Sequence, residues 1–143
     1  MPRPAPDATV QRLDRDECLR LLATDHIGRL AVVVGRSPNI FPVNYFLDGD
    51  VVVFRSDSGT KVDYGLRGPV AFEIDAFDRS TRTGWSVVVS GRLEEPPPFD
   101  TPAQERIRTL PVQPWASGDK PHWLRIVPSR ITGRRLTSPG APR

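Results

Sequence analysis

Two apolar runs rich in β-branched residues meet across Asp48-Gly49-Asp50, and this pairing restricts the fold more than any other stretch of the chain. So short a connection with a glycine at its centre turns the flanking residues 40–47 and 51–55 into an antiparallel hairpin. Further strands follow from the same signals. Residues 29–34 run into a Gly35-Arg36-Ser37-Pro38 turn, residues 69–77 and 85–93 alternate on either side of a polar link, and residues 123–127 and 131–136 supply a last strand bent near Pro128. Pro42 has no N–H to give to a ladder, which puts it at a strand edge or a bulge, where backbone faces a ligand instead of a neighbouring strand.

Helix is scarce. Asp14 is an N-cap with Glu17 three residues on, and Cys18, Leu21 and Leu22 repeat at helical spacing, so one short amphipathic helix opens the domain and Gly28 ends that region. Residues 62–66 suit a helical turn or two. Thr101 caps a further short helix through Leu110, with Pro102 in first position and Glu105 in the first turn. Three consecutive prolines bar residues 94–100 from a sheet interior. Six or seven short strands with a few small helices predict a mainly β domain, a closed antiparallel barrel, over residues 13–136. Residues 1–12 and 137–143, rich in Pro, Ala, Arg and Ser without periodicity, are expected to be disordered tails.

The chain has 143 residues, the size of one domain with one core. Its charge of +3 is spread among alternating basic and acidic residues, without the basic and aromatic stripe of a nucleic-acid binder, so no nucleic-acid partner is expected. Cys18 is the single cysteine, which excludes an intramolecular disulfide and a multi-cysteine metal site and suits a reducing cytoplasm; its place on the apolar helix face predicts burial. No apolar run approaches the ~20 residues that span a bilayer, and the first residues lack an apolar signal core, so neither membrane insertion nor export is expected. His26 and His122 stand apart with no cysteine or carboxylate motif; they read as structural or surface residues, and no metal site is expected. Glu73 and Asp75 share one strand face and read as structural too. Arg134 and Arg135 read as a solvated strand end that a phosphate or a partner subunit can meet.

The stretch with most chemistry is Phe54-Arg55-Ser56-Asp57-Ser58-Gly59-Thr60-Lys61, where a hairpin strand turns towards a helix start. Arg55 can fork onto phosphate oxygens, Lys61 adds a point charge, Ser56, Ser58 and Thr60 offer hydroxyls, and Gly59 permits close backbone approach. A solvated hairpin exit has the same composition.

These pieces resemble, in order, the split-barrel flavin-binding family that includes pyridoxamine 5′-phosphate oxidase, and in particular its short bacterial members. The resemblance runs from about Asp14 to Leu136. It rests on the opening helix with His26-Ile27-Gly28-Arg29-Leu30, the Pro42-Val43-Asn44-Tyr45 strand, the turn from Arg55 to Lys61, Val70-Ala71-Phe72-Glu73-Ile74-Asp75, Gly84-Trp85-Ser86-Val87, Pro114-Trp115 and Ile131-Thr132-Gly133-Arg134-Arg135. It implies a six- to seven-stranded split barrel and a homodimer with flavin mononucleotide (FMN) at the subunit interface. Arg55, Ser56, Thr60 and Lys61 would hold the phosphate, and Pro42, Val43, Asn44 and Tyr45 would lie along the flavin ring. Trp85 and Ser86 match positions where the family brings a neighbouring strand to the cofactor, although Trp85 fits core packing equally well. Trp115 lies in a segment suited to closing over the flavin or the dimer seam.

The resemblance further implies a flavin-dependent oxidoreductase that passes electrons from a nicotinamide donor to a small organic acceptor. True pyridoxamine phosphate oxidases carry an Arg-x-His pair near the C-terminus. Here Pro128-Ser129-Arg130 and Gly133-Arg134-Arg135 stand instead, which argues against that substrate. Related barrels bind a deazaflavin coenzyme, and a non-catalytic flavin carrier or sensor is the reading from outside the enzymes.

Overall fold

The computed structural model describes residues 9–56, 68–95, 102, 105–106, 109–112, 114–115 and 122–138. Seven strands and one helix follow in the order β1 (Thr9–Leu13), α1 (Arg15–Leu22), β2 (Ile27–Val34), β3 (Ser37–Asp48), β4 (Val51–Ser56), β5 (Pro69–Asp78), β6 (Thr83–Glu94) and β7 (His122–Thr137). All pairings are antiparallel, in the sheet order β1-β7-β4-β3-β2-β5-β6, and a further pairing of β6 with β7 closes the ring.

Two tight connections set the hairpins. Gly35 between β2 and β3 and Gly49 between β3 and β4 have φ of 63° and 65°, a left-handed conformation that glycine adopts without a Cβ penalty. α1 begins where Asp14 Oδ1 accepts the Glu17 N–H at 2.8 Å, and its apolar side buries Cys18, Leu21 and Leu22. The core lies inside the ring. Leu30, Val32, Val43, Tyr45, Val52, Phe54, Phe72, Ile74, Val87, Val89, Leu124 and Ile126 alternate inward along their strands, and α1 closes one end of this cluster. A smaller cluster of Val53, Val112, Phe46 and Trp123 packs outside the ring, where residues 110–112 lie against β4 and β7.

β7 explains how a single strand joins both halves. Its first part, residues 122–126, pairs with β4, and its last part, residues 133–137, pairs with β1 on the same flank, while β6 runs along the other. Between the halves the register slips: Ser90 faces Arg130 but Gly91 faces Pro128, leaving Ser129 as a bulge residue whose hydroxyl reaches the Ser90 carbonyl at 3.1 Å. The bend expected near Pro128 is therefore a β-bulge.

Two expectations need correction. Residues 9–12, assigned to a disordered tail, belong to strand β1: Thr9 and Val10 pair with Thr137 and Leu136, so a long-range ladder orders a segment with no local signal of its own. Thr137, at the start of the other assigned tail, likewise ends β7. Gly28 does not follow the helix as a terminator but sits buried inside β2, where an added Cβ would lie 2.1 Å from the Phe72 ring. Helical backbone at Pro102, Glu105 and Arg106 agrees with the short helix expected there, and Arg106 ties it to Asp48 of the hairpin. The helical turn expected over residues 62–66 lies outside the described residues. Among the described residues no helix is long and apolar enough to cross a membrane.

Candidate functional site

Among the described residues, the first half of β3 has a neighbouring strand on one flank only. Tyr45 donates its N–H to the His26 carbonyl at 2.9 Å, and in an antiparallel ladder alternate residues then point the opposite way, so Asn44, Pro42 and Ile40 turn their backbone groups away from β2. β4 fills that side only opposite Tyr45, Phe46, Leu47 and Asp48. Over residues 37–44 the described residues place no strand there. Pro42 fits because its missing N–H falls on the open flank; it lies in a regular ladder opposite Arg29, at an edge and not at a bulge. The Asn44 side chain accepts the Trp115 N–H at 2.9 Å, which fixes this exposed tryptophan beside the flank.

At the end of β4 next to this flank, Arg55 faces Trp123 of β7 as a cross-strand pair, with the guanidinium 5.0 Å from the ring centroid. His122 is the cross-strand partner of Ser56, and its Nδ1 lies 2.9 Å from Glu95 Oε1. Arg125 donates to Glu94 Oε1, also at 2.9 Å. The Arg55 guanidinium thus lies over an indole at the end of β4, while Glu94 and Glu95 are engaged by Arg125 and His122. Cross-strand register joins Arg55 to Trp123 across a long stretch of chain, so neither local sequence pattern announces the pair.

Sequence-selected residues divide into groups that one chain does not unite. Asn44 meets Trp115, and Arg55 stands on the adjoining strand. Val43 and Tyr45 face inward: both side chains are buried, and the Tyr45 hydroxyl donates to the Leu22 carbonyl at 2.6 Å, with burial and the nearby Asp25 charge raising its pKa above the ordinary value. Alternation puts the side chains of Pro42 and Asn44 on the opposite face of the strand from those of Val43 and Tyr45. Ser56 is buried too, so its hydroxyl does not open to solvent. Thr60 and Lys61 lie outside the described residues. Trp85 packs against the main core opposite Arg135, while Arg55 lies at the other end of β7, and Ser86 points to the outer face beside Arg134.

The order of these elements is that of a known family. A family model described as pyridoxamine 5′-phosphate oxidase matches residues 14–135. The chain belongs to the pyridoxamine 5′-phosphate oxidase family. Its relatives include an uncharacterized protein of Mycobacterium tuberculosis, Rv0080, 34% identical over 135 residues, or 90% of this chain and 87% of that protein. A solved FAD-binding protein of Mycobacterium smegmatis is 31% identical, with a TM-score of 0.67 over 89% of this chain and 98% of its own. Another FAD-binding protein, from Mesorhizobium loti, is 25% identical and superposes at a TM-score of 0.74, covering 92% of this chain and 99% of its own. The mainly β split barrel expected from the sequence is the fold of this pyridoxamine 5′-phosphate oxidase family member.

Proposed function

We propose that this chain is a flavoprotein oxidoreductase acting in the cytoplasm as a homodimer, holding FMN along the open flank of β3 and passing electrons from a nicotinamide donor to a small organic acceptor. The observation that carries this reading is the flank itself: a strand whose backbone at Asn44 and Pro42 turns away from β2 and meets no other strand among the described residues, beside Arg55 stacked on Trp123. Asn44 offers a backbone donor and acceptor, together with a side-chain amide, to the polar edge of a flavin ring. Arg55, with Thr60 and Lys61 beyond it, would take the phosphate, while Trp115 would screen the ring from water. A bound flavin supplies the hydride and electron chemistry, and the protein supplies position and field.

Two strands of reasoning favour a second chain at the site. Trp85 and Ser86 lie far along β7 from Arg55, so they reach the same cofactor only from a partner. The outer face of β2 and β3 is moreover apolar, with Ile40 68% and Val33 52% exposed beside Pro38 and Pro42. FAD is the second reading, favoured by the FAD-binding proteins of M. smegmatis and M. loti that share this fold. The same flank serves either flavin, since both share the ring and the first phosphate.

An absorption spectrum of freshly purified protein, with mass analysis of what denaturation releases, tests the proposal. FMN is expected; FAD moves the assignment to the second reading, a deazaflavin to a different reductase class, and a colourless protein that takes up no flavin overturns both readings. Arg55→Ala is expected to weaken retention by roughly 10- to 150-fold, because a charge-assisted hydrogen bond contributes ~1.5–3 kcal/mol. Rapid bleaching of the loaded protein by a reduced nicotinamide marks an enzyme, whereas no reduction by either nicotinamide marks a carrier.

A further inference from the structure

Three charged side chains gather on the outer face of the sheet, between the apolar start of β3 and Ser86 of β6. Arg29 of β2 is the cross-strand partner of Glu73 of β5, and its Nη2 reaches Glu73 Oε1 at 2.5 Å and Asp75 Oδ2 at 2.9 Å. Its Nε also donates to Glu73 Oε1, at 3.0 Å. Two carboxyls thus share one guanidinium, and they hydrogen-bond each other as well. Such a bond needs a proton on one of them. With that proton the cluster is neutral; without it, one negative charge is left over.

The surroundings hold no second cation in contact. The outward neighbours are Ala31, Pro42 and Asn44 on β2 and β3, and Ser86 and Val88 on β6, none of them charged. Arg130 and Arg134 stand one strand farther on, across β6, and among the described residues neither forms an ion pair with Glu73 or Asp75. Burial and the bond to Asp75 accordingly raise the Glu73 pKa above the ordinary 4.5, against the downward pull of Arg29.

Position on the face gives this proton a use. In the homodimer, the reading on which this inference rests, the partner covers Ile40, and two-fold symmetry brings it to this chain's Ser86 as well. Register places Arg29 and Glu73 between those two contacts, with Arg29 beside Pro42 and Asp75 beside Ser86, so the partner closes over the cluster. Stripping water from an uncompensated carboxylate is costly, whereas a neutral cluster with its hydrogen bonds made can be covered.

We propose that Glu73 and Asp75 form a proton-operated switch of self-association: a second copy of this chain seats on the face while one proton lies between the two carboxyls, and leaves when that proton passes to water. Covering the cluster favours its protonated form further, so the dimer holds more protons than the separated chains. Association therefore weakens as the pH rises above 4.5. Overall charge repulsion acts with the opposite sign, because a chain that carries +3 at pH 7 becomes more positive in acid.

Sedimentation equilibrium of the purified full chain, with the flavin it carries, tests the switch at fixed ionic strength. Wild type is expected to associate at least about tenfold more tightly at about pH 5 than at about pH 8. Glu73→Gln keeps an acceptor for Arg29 and a donor for Asp75 without a titrating proton, so it should associate at both pH values as wild type does in acid. Asp75→Asn leaves Glu73 paired one-to-one with Arg29 and should flatten the dependence too. A wild-type dimer equally tight at both pH values overturns the switch and leaves the homodimer reading intact, as does a pH dependence that both variants retain. Chains that stay monomeric throughout, Glu73→Gln included, overturn the switch and the homodimer together.

Discussion

The Glu17 carboxylate accepts hydrogen bonds from Arg20 in its own helix and from Arg135 on β7, and these two guanidinium groups hold its pKa down from 4.5 to about 2. A pKa lowered in the folded state means stabilisation that is complete above pH 4.5 and drains away as the pH falls towards 2. Glu17→Gln is therefore expected to lower the melting temperature at pH 6, with the gap to wild type narrowing between pH 4.5 and 2; a gap independent of pH would refute the assignment. Since the group sits at the surface, the gap should also shrink in high salt. Half of this residue's role was legible in the chain. Its spacing from Asp14 marked the helix start, whereas Arg135, remote in sequence, becomes its neighbour only through the docking of α1 on β7.

Elements are joined at a few points where geometry leaves no slack. Tyr45 links β3 to α1 by its buried bond to the Leu22 carbonyl at a helix end, while its ring packs edge-on against Phe72 at 4.9 Å. Tyr45→Phe keeps the packing and orphans the carbonyl, so a loss of ~1–3 kcal/mol is expected in denaturant unfolding. Beside the β7 bulge, a Cβ at Gly91 would fall 2.2 Å from the Val127 carbonyl oxygen. That neighbour is backbone and cannot swing aside. Gly91→Ala is expected to cost ~1–3 kcal/mol, against a near-neutral Ser90→Ala at the adjacent outward position, when melting temperatures are compared. The hairpins and the bent last strand were readable because turn residues and alternation are local signals. β1 was not, since its order comes entirely from pairing with a strand at the other end of the chain.

At the scale of the whole molecule, the ring and its incomplete flank create the candidate site together. The Gly49 hairpin sets β4 beside β3, yet their pairing stops at Tyr45 and leaves backbone at Asn44 and Pro42 turned away from β2. If a second copy covers the outer face of β2 and β3, Ile40→Asp places a charge in that contact. Light scattering after size exclusion should then show a dimer for wild type and a shift towards monomer for the variant, with flavin retention falling in parallel. The chain by itself determined the strands other than β1, the two glycine turns, the helix cap, the use of Pro42 as an edge residue and the family, because each follows from residue type over short spans. Tertiary structure decided where the chosen residues stand. Val43, Tyr45 and Ser56 turned inward, Trp85 and Ser86 on β6 came to lie opposite the far end of β7, and Arg55 gained Trp123. It also set Arg12 opposite Arg134. Such neighbours are fixed by register between strands distant in the chain, and a one-residue slip, which no local pattern forbids, would exchange the faces of all of them.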